Sequence, residues 1–523
     1  MRSLKISLIY VVFCVFFCAF SLGCGETSEK PTDAAAPFST DIEAFDLADY
    51  AGFRASAGDP LSAYQWHLKN FGQLAGKSGV HAAKIGADLN VTPLFERGVF
   101  GAGSRVAIVD TGVEITHPDL AANIDLAASV SYIGGGAEPR EKSALCAHGT
   151  GAAGLAAAAI NNGGVVGVAP KAKIAAINIG LGCGGNAYDS TLLSAFMGDL
   201  EIYSNSWGYD DFFTRDRFGE ALAEGVRNGR NGRGSLYFFA AGNSRSARHR
   251  ADYNEHLSNF EVMPIAALES NGAYAPYSAA GANILVSAFG GANSLDKALV
   301  VTTALTGCEA SKFGAFSHEL NAGCAYGFMN GTSAATPQAA GAAALILEAR
   351  RDLSWREARY ILAASARQND PREADWTRNG AGFWINHNYG FGAIDAFSAV
   401  QMAKNFRKFG ALKSYERNDI ISADFLAQND INKIEFVNVS ADINNARNCS
   451  FNLALFSPAG TIAEFVKNDI IITSDFTLRD FVFGTPRFLD ENANGIWQLA
   501  ISDSSCNNLS LESWSISIKG RSE

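Results

Sequence analysis

Arg105-Val106-Ala107-Ile108-Val109-Asp110-Thr111-Gly112 is the stretch on which the fold of this chain turns. Four apolar residues run without a polar break, then stop on a carboxylate followed by a turn glycine. An uninterrupted apolar run of strand length, bounded by turn chemistry, reads as a strand buried on both faces. Similar runs occupy 173–179, 201–206, 235–241 and 262–267, and helix-like stretches lie at 148–160, 189–200, 216–227 and 333–350. Ser354-Trp355-Arg356-Glu357 has the capping-box pattern of one more helix start. Strands alternating with helices over 59–405 predict an α/β domain, a mostly parallel sheet covered by helices on both faces. Ligands gather beyond the carboxyl ends of such strands, where Asp110 stands.

Two further segments share the chemistry of Asp110. They are His148-Gly149-Thr150-Gly151, at the start of one predicted helix, and Gly331-Thr332-Ser333-Ala334-Ala335-Thr336-Pro337, at the start of another. A serine becomes a useful nucleophile when an imidazole takes its proton, and the imidazole needs a carboxylate to hold its tautomer. Asp110, His148 and Ser333 supply those three groups in the order Asp, His, Ser, distinct from the chymotrypsin and α/β-hydrolase orders. The serine also lacks the G-x-S-x-G elbow of esterases and lipases. Pro337 is expected in the first turn of its helix, where a missing N–H does no harm.

Taken together, these motifs resemble the subtilisin-like (subtilase) serine peptidases. Phe238-Phe239-Ala240-Ala241-Gly242-Asn243 resembles the subtilase strand that ends in the oxyanion asparagine, which implies that Asn243 donates its amide to the oxyanion together with the Ser333 N–H. Asp59-Pro60-Leu61 and Gln65-Trp66-His67-Leu68 resemble the domain entry of their kexin/furin-like branch. The resemblance implies a serine endopeptidase acting on protein or peptide substrates. By the same resemblance Ser206, Trp207 and Gly208 bind the substrate backbone, and Asp211 and Asp252 line a pocket for Arg or Lys before the cleaved bond. Asp59, Asp119 and Asn162 match the side-chain ligands of a structural calcium, with carbonyls of 159–166 completing the shell. The chain also departs from that branch. Thr111 stands where convertases carry a second Asp, Cys146-Ala147 precedes the histidine, and Ala279 replaces a glutamate of a calcium site under the pocket. Strict dibasic cleavage is therefore not implied.

From 411 to 521 helix signals vanish and short alternating runs appear at 433–439, 451–456, 469–472, 497–501 and 514–518. They predict an all-β, jelly-roll-like sandwich. Ser457-Pro458-Ala459-Gly460-Thr461 and Gly495-Ile496-Trp497 resemble the P-domain that follows the catalytic domain in convertases.

At the other end, Arg2 and Lys5 precede an apolar run, so 1–23 reads as an export signal. Ser21-Leu22-Gly23-Cys24 resembles a bacterial lipobox, which implies membrane attachment through a lipid on Cys24. Residues 24–58, rich in Ala, Ser, Thr and Asp, read as a tether, too short to bury a core of their own. Relatives of this kind carry a folding propeptide there, so folding without one, or with a separate chaperone, is implied. The formal net charge of −11 argues against nucleic acid as a partner. Six cysteines follow Cys24, an even number that suits disulfides in an exported chain. Proximity along the chain favours Cys146–Cys183, Cys308–Cys324 and Cys449–Cys506. The sequence thus reads as an exported, lipid-anchored serine endopeptidase. The alternative is a catalytically inactive relative that binds peptides or surface partners.

Overall fold

The structure, a computed structural model, describes residues 58–523 apart from 76–80, 187–199, 295–297, 308–317, 319–320, 445–449, 468–476 and 504–508. The export signal, Cys24, nearly all of the expected helix at 189–200, the strand at 469–472, Cys308, Cys449 and Cys506 lie outside the described residues.

The opening run forms β1 (Arg105–Asp110). With β2 (Val130–Ser131), β3 (Lys173–Asn178), β4 (Ile202–Asn205), β5 (Leu236–Ala240), β6 (Val262–Leu268) and β7 (Val286–Phe289) it builds one sheet, in the order β2-β3-β1-β4-β5-β6-β7. Every pairing in this sheet is parallel. Alternate side chains of β1 leave opposite faces. Val106 and Ile108 join a core with α1 (His148–Ala157) and α3 (Thr332–Ala349). Ala107 and Val109 join a second core with α2 (Gly219–Gly232). The predicted two-sided burial is borne out.

Helices α1 and α3 are buried along almost their whole length, which explains their Ala and Gly content. Small side chains let them approach closely: a Cβ on Gly341 would stand 3.0 Å from the Ala156 carbonyl oxygen. The capping box forms at α4 (Trp355–Ala364), with Ser354 N–H donating to Glu357 at 2.7 Å. Helix α5 (Ala396–Lys404) closes this domain. No helix of the described residues is long and apolar enough to cross a membrane.

The C-terminal region is a sandwich of two four-stranded antiparallel sheets. Besides β8 (Val300–Thr303) and β9 (Tyr326–Met329), a hairpin beside α1, the chain adds β10 (Lys413–Ile420), β11 (Asp424–Ala427), β12 (Lys433–Asn444), β13 (Phe451–Phe456), β14 (Ile462–Val466), β15 (Thr477–Thr485), β16 (Gly495–Asp503) and β17 (Ser510–Arg521). The sheet orders are β10-β17-β12-β15 and β11-β16-β13-β14. Val437, Val439, Leu453, Leu455, Trp497 and Trp514 share the core between them. Strand β10 escaped the sequence pattern because it is a charged edge strand, exposed along most of its length.

The two domains share a continuous seam. Phe436 and Leu489 of the sandwich belong to the α/β core, while Phe213, Tyr253 and Ala282 belong to the sandwich core. Cys146–Cys183 forms as expected, and Cys324 is disulfide-bonded.

Candidate active site

Asp110 closes β1 with its carboxylate fully buried. It accepts the Thr111 N–H at 2.7 Å and faces His148 Nδ1 at 2.8 and 3.0 Å through its two oxygens. That contact sets the tautomer, with the proton on Nδ1 and Nε2 free to accept. Thr111 builds the approach. Its hydroxyl donates to the Cys146 carbonyl and accepts the Gly149 N–H, both at 3.0 Å, which pins the start of α1 to the β1 loop. Glycine at 149 is obligatory, because a Cβ there would lie 2.2 Å from the Gly112 oxygen.

Ser333 is the second residue of α3. Its hydroxyl donates to the Ser206 carbonyl at 2.9 Å, and the Ser206 hydroxyl donates to the Ser333 carbonyl, also at 2.9 Å. Among the described residues the resting hydroxyl is thus bonded to Ser206 rather than to His148. Pro337 sits one turn later than expected, inside the helix, and so removes the N–H that would have bonded the Ser333 carbonyl. The Ser206 hydroxyl takes over that acceptor.

Asn243 is exposed, and its amide oxygen accepts both the N–H and the hydroxyl of Thr332, at 2.9 and 3.0 Å. This turns Nδ2 away from Thr332. A Cβ on Gly331, where φ is +96°, would stand 3.2 Å from Asn243 Nδ2 and 3.5 Å from Ser333 N. Glycine therefore keeps a side chain out of the space between the Asn243 amide and the Ser333 N–H.

The substrate-side expectations divide. Trp207 is half-buried, donates its indole N–H to the Val109 carbonyl at 3.0 Å, and packs edge-on against Phe218 and Phe239. Gly208 and Asp211 are exposed. Asp252 is fully buried, paired with Arg250 at 3.0 Å and bonded by the Ala282 and Asn283 N–H groups, so its charge is met inside the protein. Burial pushes its carboxyl up to about 6 against the pull of Arg250. The arginine two residues earlier folds back to pair with the acid. Asp210, which the sequence did not mark as a site residue, is exposed and accepts the hydroxyl of Ser244, the neighbour of Asn243, at 2.6 Å.

Asp59 and Asp119 come together around the 161–165 loop. Asp59 accepts the N–H groups of Asn161 and Gly163 at 3.1 and 2.7 Å, leaving its other oxygen buried without a partner. Asp119 accepts the Val165 N–H and the Asn161 amide, at 2.8 and 3.0 Å. Burial pushes Asp59 up to about 6 and Asp119 up to about 7, the latter raised further by the Asp59 charge. Asn162 is exposed, with φ of +65°. Among the described residues no three His, Cys, Asp or Glu side chains gather. A buried, orphaned Asp59 oxygen beside a second buried carboxylate nevertheless fits a calcium-like ion.

The model of the subtilase family matches residues 101–392, the span that holds Asp110, His148, Asn243 and Ser333. The chain belongs to the subtilase family. The proprotein convertase P-domain model matches 434–518, within the sandwich. A PC3-like endoprotease of Hydra vulgaris is 32% identical over 473 residues, covering 85% of this chain and 63% of its own. The Aeromonas extracellular serine protease of Aeromonas sobria is 29% identical, over 91% of this chain and 89% of its own. The chain thus spans under two thirds of the Hydra relative but most of the bacterial one. The solved complex of the Aeromonas sobria serine protease with its chaperone aligns with a TM-score of 0.80 at 26% identity, over 89% of this chain and 95% of that one. The resemblance read from the motifs is borne out at the level of family and fold.

Proposed function

We propose that this subtilase is an active serine endopeptidase that uses Asp110, His148 and Ser333. The observation that carries the reading is the Asp110 carboxylate on His148 Nδ1 at 2.8 Å, which leaves Nε2 as an acceptor. On substrate binding the Ser333 hydroxyl leaves Ser206 and gives its proton to Nε2 as its oxygen bonds to the scissile carbonyl carbon. Asn243 Nδ2 and the Ser333 N–H hold the oxyanion. The C–N bond then breaks as Nε2 protonates the leaving amine. Water, deprotonated by the same nitrogen, releases the acyl group and restores the serine.

The exposed carboxylates of Asp210 and Asp211 support a preference for Arg or Lys before the cleaved bond. With Thr111 turned inward to pin α1, nothing at that position reads a second basic residue. A structural calcium held by Asp59, Asp119 and Asn162 would stiffen the 159–166 loop and the domain entry. Export under the 1–23 signal, lipid attachment at Cys24 and folding with a separate chaperone complete the reading. The chaperone-bound Aeromonas neighbour and the extracellular relative lend support.

Peptide-library cleavage by the purified protein beside its Ser333→Ala variant tests the reading. Cleavage by the parent alone, with a fluorophosphonate label on Ser333, is expected. Equal cleavage by both would sink it. The second reading, peptide binding without turnover, draws on the Ser333 hydroxyl resting on Ser206, and predicts binding with neither cleavage nor label.

A further inference from the structure

The outer strand of one sandwich sheet, β14, is not left as a bare edge. At Glu464 both main-chain groups are met by side chains of the α/β domain. The N–H donates to His387 Nε2 at 3.1 Å, and the carbonyl accepts Arg250 Nη2 at 2.7 Å. One residue's donor and acceptor are thus satisfied much as a neighbouring strand would satisfy them. His387 is poised for this because Asp375 holds its Nδ1 at 3.0 and 3.1 Å, leaving Nε2 as the acceptor.

Arg250 also bonds within its own domain. It bonds Asp252 through Nε and Nη2 at 3.2 and 3.0 Å. Asp252 in turn accepts the N–H groups of Ala282 and Asn283 at 2.9 and 3.3 Å. The carbonyl of Ala282 is taken from the sandwich side by the Thr485 hydroxyl at 2.8 Å. The same loop runs back to the oxyanion strand, where the Ala279 N–H donates to the Gly242 carbonyl at 3.0 Å, one residue before Asn243. Gly242 N–H is itself bonded to Thr332, which orients the Asn243 amide.

We propose that Arg250 and Thr485 are positioning residues through which the docked sandwich holds the 279–283 loop, and with it the Asn243 side of the cleft, in the geometry that oxyanion stabilisation requires. The sandwich is in this sense part of the catalytic apparatus and not only a stabilising appendage. The inference rests on the serine-peptidase reading, with Asn243 as a donor.

The test compares three changes in the full chain. Arg250→Gln combined with Asp252→Asn removes the bridge without stranding a buried charge. Thr485→Val removes the second hold while keeping the volume. Tyr360→Phe serves as control, because it cuts a 2.8 Å bond to Asp490 across the same seam but away from the loop. The expected result is a fall in kcat of roughly tenfold to hundredfold for the first two, with KM little changed, since misplaced donors act on the transition state. Tyr360→Phe should lower Tm and leave kcat alone. Arg250→Lys, which keeps the charge and one donor, should recover part of the loss.

Folded variants of the first two with unchanged kcat would overturn the proposal. So would a Tyr360→Phe loss of kcat that matches theirs. Should the double variant fail to fold, the kcat of Thr485→Val decides the question alone. An active Ser333→Ala variant would instead defeat the underlying reading, so the two failures are separable.

Discussion

Ser206 and Ser333 exchange hydrogen bonds, each hydroxyl donating to the other's carbonyl at 2.9 Å. The exchange follows from Pro337, which deprives the Ser333 carbonyl of its helical donor four residues on. Ser206→Ala should leave that buried acceptor unpaired and cost about 1–3 kcal/mol. Adding Pro337→Ala restores an N–H there, so the pair should be more stable than Ser206→Ala alone. Urea unfolding of the single and double variants measures this, and additive losses would count against the account.

Gly149→Ala should disable the site by moving α1. The new Cβ would meet the Gly112 oxygen at 2.2 Å, forcing apart the β1 loop and the helix start that carry Asp110 and His148. A fall in kcat/KM of about 10²-fold or more is expected in protein that keeps native circular dichroism. Activity within a few-fold of the parent would show that the loop absorbs the clash.

Asp110→Asn keeps the shape but removes the charge that fixes the His148 tautomer. It should lower kcat by about 10⁴ while leaving KM nearly unchanged. Steady-state kinetics on the best library peptide decides the matter.

Metal removal should couple stability to pH. The folded protein without a cation holds protons on Asp59 up to about 6 and on Asp119 up to about 7, whereas the ordinary carboxyl value is 3.8. Over that interval the unfolded chain binds fewer protons, so stability falls as pH rises. These two groups therefore predict that the Tm difference between calcium and chelator widens from about pH 4 to pH 7, while slopes from other groups are common to both conditions. A chelator-insensitive profile would argue against the ion.

His387 behaves in the opposite sense. Burial first, then the Arg487 and Arg250 charges, lower it from 6.5 to about 4, against the upward pull of Asp375. Below 6.5 the unfolded chain takes a proton that the folded seam refuses, so stability drops as pH falls toward 4. Protonation would also turn Nε2 into a donor facing the Glu464 N–H. His387→Gln, which offers an oxygen acceptor, should flatten the slope by one proton's worth, read from unfolding midpoints between pH 4 and 6.5.

Much of the α/β domain was legible because its elements announce themselves locally. The apolar run before Asp110, the Ala/Gly helices and the Ser354 capping box each express a backbone preference within a few residues. The sandwich was legible in its inner strands, whereas its edge strand β10 was not, since it is charged and exposed along most of its length. Pro337 lies one helical turn beyond its expected place because its effect depends on where the helix begins, at Thr332, and no letter marks that.

The sequence by itself determined which reactive side chains exist and which turns and helix starts bear them, because Asp110, His148, Asn243 and Ser333 each sit on a motif whose geometry is short-range. Only the tertiary structure decided what those chains meet. It buried Asp252 against Arg250, rested the Ser333 hydroxyl on a carbonyl of Ser206, and closed the Glu464 edge with His387. The physical reason is that the deciding partners are main-chain carbonyls and N–H groups. Almost every residue carries these alike, so their positions become readable only once distant segments have packed.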